Sequence, residues 1–380
     1  MKSQDIRLSA MTICMLAVCV LPATAAAADA VPTMDEIIAA ARQRQEAVSS
    51  GRFEWTAERW INKSARNIGR GRMTAAPMNP SEDFEATAER TLLFSGKYLR
   101  YESFGPDWND ARDADMPYRV IMTWDGQESR TFRDPEGFWH GMVESDGRFK
   151  GLRTFDPVAW TYRFFDPNWT YFDVREFSVR TSLEEVGGEP CVVLERSQQT
   201  RAMPQAPLVY RLWLSCGRQF IVRQYERLRG PTVHERVQIE YEDSAHGHAV
   251  PVSWTKIEGE DVNRELVSKV TKCDVVDYEL NVPIASDSFD LEFPANTWVQ
   301  EEGVEDPYIV REDGSHRVVT QAELRRGAKY EDVLATPSGQ AIVLPLRSNP
   351  YMWIAWLVQA LLAAGILCYL YRTRWAPRNS

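Results

Sequence analysis

Apolar positions fall into two rhythms along this chain. From Met34 to Val48 they recur at helical spacing, with Met34, Ile37, Ile38, Ala41 and Val48 on one face and Arg42, Arg44 and Glu46 off it. Thr33-Met34-Asp35-Glu36 ahead of them is a capping box, so a helix is predicted over residues 33–49. A helix with a single apolar face needs a sheet or groove to cover. Past Ser49-Ser50-Gly51 the pattern shortens to that of strands. Phe53, Trp55 and the aromatic and β-branched runs 91–94, 98–101 and 120–124 are predicted strands, turned at Ser95-Gly96, Asp125-Gly126, Asp146-Gly147 and Gly187-Gly188.

One helical interruption is predicted at residues 156–165, where Pro157 suits a first turn and Val158, Trp160, Tyr162 and Phe165 supply an apolar mass. Strands then follow at 172–179, 191–196, 208–215, 220–225, 233–241, 250–257 and 266–280, joined by short polar connections. Val233, Val237, Ile239 and Tyr241 alternate with His234, Arg236, Gln238 and Glu240, as in an antiparallel strand with one wet face.

The two ends read differently. Residues 351–371 carry no charge and are flanked on one side by Arg372, Arg374 and Arg378, with Trp353, Trp356, Tyr369, Tyr371 and Trp375 at the margins. That is the pattern of one transmembrane helix with a cytoplasmic tail. Residues 1–30 read as a secretory signal peptide, with Cys19 in a weak lipobox as the rival reading. The expected organisation is a signal peptide at 1–30, a β-rich ectodomain at 31–300, an accessory unit or stalk at 301–349, a membrane helix at 350–372 and a cytoplasmic tail at 373–380. The expected location is the inner membrane, single-pass, with the ectodomain on the periplasmic or extracytoplasmic side.

The net charge of −10 disfavours nucleic acid and anionic surfaces as partners. Of six cysteines, Cys14, Cys19 and Cys368 fall in the two predicted end segments, which leaves Cys191, Cys216 and Cys273. Cys191 and Cys216 could close a disulfide across a hairpin. Pairing Glu195 with Arg211 and Val193 with Trp213 would instead set Pro190 opposite Cys216, and buried free thiols are then the alternative.

No catalytic or metal-binding pattern is expected. His140, His234, His246, His248 and His316 show no zinc spacing, and neither a nucleophile elbow nor a phosphate loop occurs. Asp107, Asp110, Asp113 and Asp115 lack the glycine and terminal glutamate of a calcium loop and read as a polar loop. No enzyme activity and no cofactor are expected.

A resemblance rests on several stretches: Gly188-Glu189-Pro190-Cys191-Val192-Val193-Leu194-Glu195, Tyr210-Arg211-Leu212-Trp213-Leu214, Ile239-Glu240-Tyr241, Gly247-His248-Ala249-Val250-Pro251-Val252-Ser253-Trp254, and the closing Asn281-Val282-Pro283-Ile284 and Phe289-Asp290-Leu291-Glu292-Phe293-Pro294. In order and style these strands resemble the superfamily of LolA-type lipoprotein carriers and RseB-type sensors. The resemblance implies a mainly β fold with helices (α+β), a curved antiparallel half-barrel with helices on its concave face, here joined to the C-terminal transmembrane helix. It also implies an apolar groove, for which Trp160, Phe164, Phe165 and Trp169 are the candidate ligand-binding residues. The function expected is a membrane-anchored envelope protein that binds a lipid, a lipoprotein acyl chain or a hydrophobic peptide. The alternative is a non-catalytic interaction or sensor ectodomain that contacts another envelope protein.

Overall fold

The computed structural model describes residues 31–63, 82–109, 114–135, 139–145, 156–164, 173–200, 203–327 and 330–336. Helix α1 (Met34–Ala47) opens the chain, and Thr33 closes the expected capping box: its hydroxyl accepts from the Glu36 amide at 3.3 Å while its own amide donates to the Glu36 carboxylate at 2.7 Å. Six strands follow as a meander: β1 (Ser50–Ile61), β2 (Phe84–Ser95), β3 (Tyr98–Asn109), β4 (Ala114–Trp124), β5 (Ser129–Pro135) and β6 (His140–Glu144). After the short helix α2 (Asp156–Tyr162) come β7 (Ser178–Val179), β8 (Glu184–Val186), β9 (Glu189–Thr200), β10 (Met203–Ser215), β11 (Val222–Arg229), β12 (Thr232–Asp243), β13 (Ala249–Asp261) and β14 (Leu266–Leu280). The chain continues through β15 (Trp298–Glu301), β16 (Tyr308–Val310), β17 (His316–Val318), α3 (Gln321–Arg325) and α4 (Tyr330–Ala335).

The seventeen strands of the described residues form one sheet. The pairings run from β7 and β8 on β9 through β10, β11, β12, β13 and β14 to β1, and from there through β2, β3, β4 and β5 to β6. β1 is therefore a seam. It zips the first meander to the second along its whole length, from Gly51 opposite Leu280 to Ile61 opposite Lys269. Beyond β6 the sheet gains β15, its one parallel neighbour, then β16 and β17. Register breaks at Glu54/Trp55, Trp213/Leu214, Arg227/Leu228, Glu240/Tyr241 and Glu258/Gly259 bend the strands and sharpen their twist.

Alternation sends one set of side chains to an inner face. There Phe53, Trp55, Phe94, Tyr101, Trp124, Leu194, Leu212, Ile239 and Trp254 join Ile37 and Ala41 of α1 and Ala159, Trp160 and Tyr162 of α2 in a single apolar cluster. Helices α1 and α2 pack on this part of the sheet.

The fold class expected from the sequence included a C-terminal transmembrane helix, and the structure corrects it. Among the described residues the chain is mostly β, one large open sheet with few helices, and no helix is long and apolar enough to cross a membrane. The longest, α1, has 14 residues against the ~20 that a bilayer requires. Residues 350–372, to which the span was assigned, lie outside the described residues, as do 1–30, the Asp146-Gly147 turn and 337–349. The unit after position 300 is tied into the sheet through β15, which crosses that position, and it has its own small cluster of Ile309, Val319 and Val333. The expected strand at 172–179 is reduced to Ser178–Val179 after a 3₁₀ turn at Val174–Glu176.

Candidate functional site

The inner face has two halves, and the register explains why. Where α1 and α2 lie, the strands contribute large apolar side chains. Trp160 is 2% exposed and packs on Tyr225 with ring centroids 5.1 Å apart. Phe164 is also 2% exposed and belongs to the same cluster. Two buried arginines fasten the helices. Arg44 of α1 donates from Nε to the Thr161 carbonyl at 3.2 Å and from Nη1 to the Gln219 carbonyl. Burial holds its pKa down at about 10. Arg163 donates to the carbonyls of Val48 and Ser49 at 3.0 and 3.1 Å and lies over the Phe94 ring at 4.7 Å. Tyr162 completes the latch by donating to the Ala249 carbonyl at 2.8 Å.

Moving along the strands away from the helices, the inner face changes character row by row. Leu92, Tyr101 and Met122 face one another across β2, β3 and β4 and still belong to the apolar cluster. The next row runs Arg90, Ser103, Val120 and Arg133 across β2 to β5. Beyond it lie Ala57 opposite Ala88, and Gly105 opposite Tyr118. The last row sets Arg59 opposite Ala86 and Asp107 opposite Met116. All of these but Leu92 and Met116 line a cleft of about 280 Å³.

Its floor is low because its residues are small. A Cβ at Gly105 would stand 2.6 Å from the Ala88 Cα and 2.8 Å from the Thr87 carbonyl oxygen, so the two strands pack too closely there for any side chain. Three arginines face the cleft against one aspartate. Asp107 holds Arg59 at 2.7 Å, and Arg59 also donates to the Pro106 carbonyl at 3.2 Å. The Nε groups of Arg59 and Arg90 are buried and meet no acceptor among the described residues. Burial raises the Tyr118 phenol, which keeps it protonated and able to donate.

The neighbouring part of the inner face, on β11 to β14, is also charged but internally balanced. Glu235 takes Lys256 at 2.8 Å and Arg227 at 2.9 Å, and Glu258 takes Lys256 at 3.6 Å and Lys269 at 3.4 Å.

Of the four residues the sequence put forward for ligand binding, Trp160 and Phe164 are closed in beneath the helices and do not line this cleft, while Phe165 and Trp169 lie outside the described residues. The described cysteines are free. The register sets Ser215 opposite Cys191, and the Cys216 amide donates to the Pro190 carbonyl at 3.0 Å, so adjacent positions turn Cys191 and Cys216 to different faces. Cys191 packs with Val193 and Trp213, and Cys216 against the main cluster. Asp107 serves as the Arg59 partner, while Asp110 and Asp113 fall outside the described residues. Sequence reasoning missed the arginine cleft. Its signal is the set of register partners of Arg90, which becomes visible only once four strands are aligned.

No family model and no curated protein matches the chain. Among solved structures it is similar to a DUF1329 family protein from Desulfovibrio piger, at 12% identity over 68% of this chain and 97% of that one, with a TM-score of 0.41. It is likewise similar to a putative outer membrane lipoprotein-sorting protein domain from Vibrio parahaemolyticus, at 11% identity over 67% of this chain and 95% of that one, with a TM-score of 0.40.

Proposed function

We propose that this chain is a non-catalytic binding protein of the extracytoplasmic space whose inner sheet face holds an amphiphile, a lipid or the acylated end of a lipoprotein. One observation carries the reading: the apolar cluster reaches, through Tyr101 and Met122, the lining of an open cleft floored by Ala57, Ala88 and Gly105 and edged by arginine. Tyr101 and Met122 are themselves buried, so a ligand's apolar chain reaches them at the cleft's inner margin while its polar head lies toward the arginines. Apolar area removed from water contributes ~25 cal/mol per Å², so a chain laid on the cluster's margin supplies affinity and the polar groups supply orientation. The resemblance seen in the sequence supports the same ligand class.

Organic extraction of the protein purified from its native source, together with titration of a fluorescent fatty acid, tests this. Co-purifying acyl lipid and saturable binding are expected. If no acyl probe binds saturably, the chain is not a lipid-binding protein.

A further inference from the structure

We propose that Arg90, Ser103 and Arg133 form a seat for one small oxyanion, the phosphate or carboxylate group at the head of the amphiphile; the headgroup part of this inference rests on the function proposed above, the oxyanion part on geometry alone. Arg90 and Arg133 lie on a single cross-strand row with Ser103 and Val120 between them. Three strand steps of about 4.8 Å set their backbones about 14 Å apart. Both side chains line the same cleft, and two guanidinium groups on long stems can reach, across that span, a group the size of phosphate held between them. The Ser103 hydroxyl is on the same row.

What sets these two arginines apart from their neighbours on the sheet is the lack of a carboxylate partner among the described residues. On the outer face of the same strands Arg100 pairs with Glu102 at 2.7 Å, Arg119 reaches Glu102 at 3.5 Å and Arg130 pairs with Glu128 at 2.6 Å. On the inner face of β11 to β14, Lys256, Lys269 and Arg227 each have a carboxylate. Among the described residues no carboxylate pairs with Arg90 or Arg133, although the whole chain carries 54 acidic residues against 44 basic ones. Arg90 also keeps a buried Nε–H without an acceptor. Guanidinium groups fit carboxylate and phosphate oxygens through paired N–H donors, and a buried donor left over after folding calls for an acceptor from elsewhere. The single carboxylate of the cleft, Asp107, is spent on Arg59 two rows away, which leaves the Arg90 end the more positive.

The test titrates the full-length purified protein with lysophosphatidate, with the monoacylglycerol of the same chain, and with inorganic phosphate. The wild-type protein is expected to prefer lysophosphatidate over the neutral lipid by about tenfold or more, the range for hydrogen bonds to a charged group. R90Q and R133Q should each cut that preference severalfold, and R119Q on the outer face should leave it unchanged. Melting curves of each variant confirm that it is folded. Equal affinity for the two lipids, or a preference that survives R90Q and R133Q, overturns the seat while leaving the lipid-binding function intact. Phosphate that binds saturably and is lost in R90Q, with neither lipid bound, keeps the seat and removes the lipid reading. Binding of none of the three removes both.

Discussion

Trp160 and Arg133 carry opposite expectations for stability and binding. Trp160 of α2 is buried against Tyr225 of β11, so Trp160→Ala is expected to cost ~3–5 kcal/mol of unfolding free energy, read as a fall in the urea midpoint. Arg133 is exposed, and Arg133→Gln should stay within ~0.5 kcal/mol of wild type while changing ligand preference. A Trp160→Ala protein as stable as wild type would take the ring out of the core. The sequence marks Trp160 and Phe164 as groove candidates, yet core and groove demand the same residue types, and only the placement of α1 and α2 decides between them. The thiols give a second test at this scale. Burial pushes Cys191 and Cys273 up to about 12, so both stay protonated and unreactive at pH 8. Peptide-resolved alkylation of the native protein should label Cys216 first and the other two only after denaturation; early labelling of Cys191 would contradict its packing against Val193 and Trp213.

Between elements, register governs what each face presents. The order of strands from β9 to β14 was legible because each segment alternates and each connection is short. The cleft was not, because Arg90 and Arg133 become neighbours only when β2, β3, β4 and β5 are aligned, and a slip of one residue at any step would turn one of them to the outer face. Gly105 fixes the β2–β3 step. Gly105→Val is expected to destabilise by ~1–3 kcal/mol through overpacking against Ala88, measured by chemical denaturation, and to close the cleft floor. The charged belt across β12, β13 and β14 adds a dependence on pH. Burial acts to raise the Glu258 carboxyl, but Lys256 and Lys269 outweigh it and bring the group from 4.5 down to about 2. A depressed carboxylate stabilises the fold above its unfolded value, and that contribution is lost as pH falls from 4.5 toward 2. Stability measured across that window should drop, and Glu258→Gln should drop less; identical slopes for the two proteins would show that Glu258 is not the group responsible.

Across the whole molecule the seam strand β1 ties two meanders that are far apart in sequence, while the sheet's ends thin out. β1 is paired on both sides along its full length and sits over the main cluster through Phe53, Trp55 and Ala57. β16 and β17 have three residues each and rest on the small cluster of Ile309, Val319 and Val333. Strands that short carry too few alternations to be recognised as strands, which is why the sequence marks 301–349 only as an accessory unit or stalk. The parallel β6–β15 pair, which extends the sheet into that unit, leaves no local pattern at all. Amide exchange should follow this gradient, since local opening costs least where few apolar contacts hold a strand. Protection is expected to be highest in β1, β2, β13 and β14 and lowest in β7, β8, β16 and β17. If β17 instead exchanges as slowly as β1, the terminal unit opens only together with the main sheet, and the β6–β15 pair must then transmit the full cooperativity of the core.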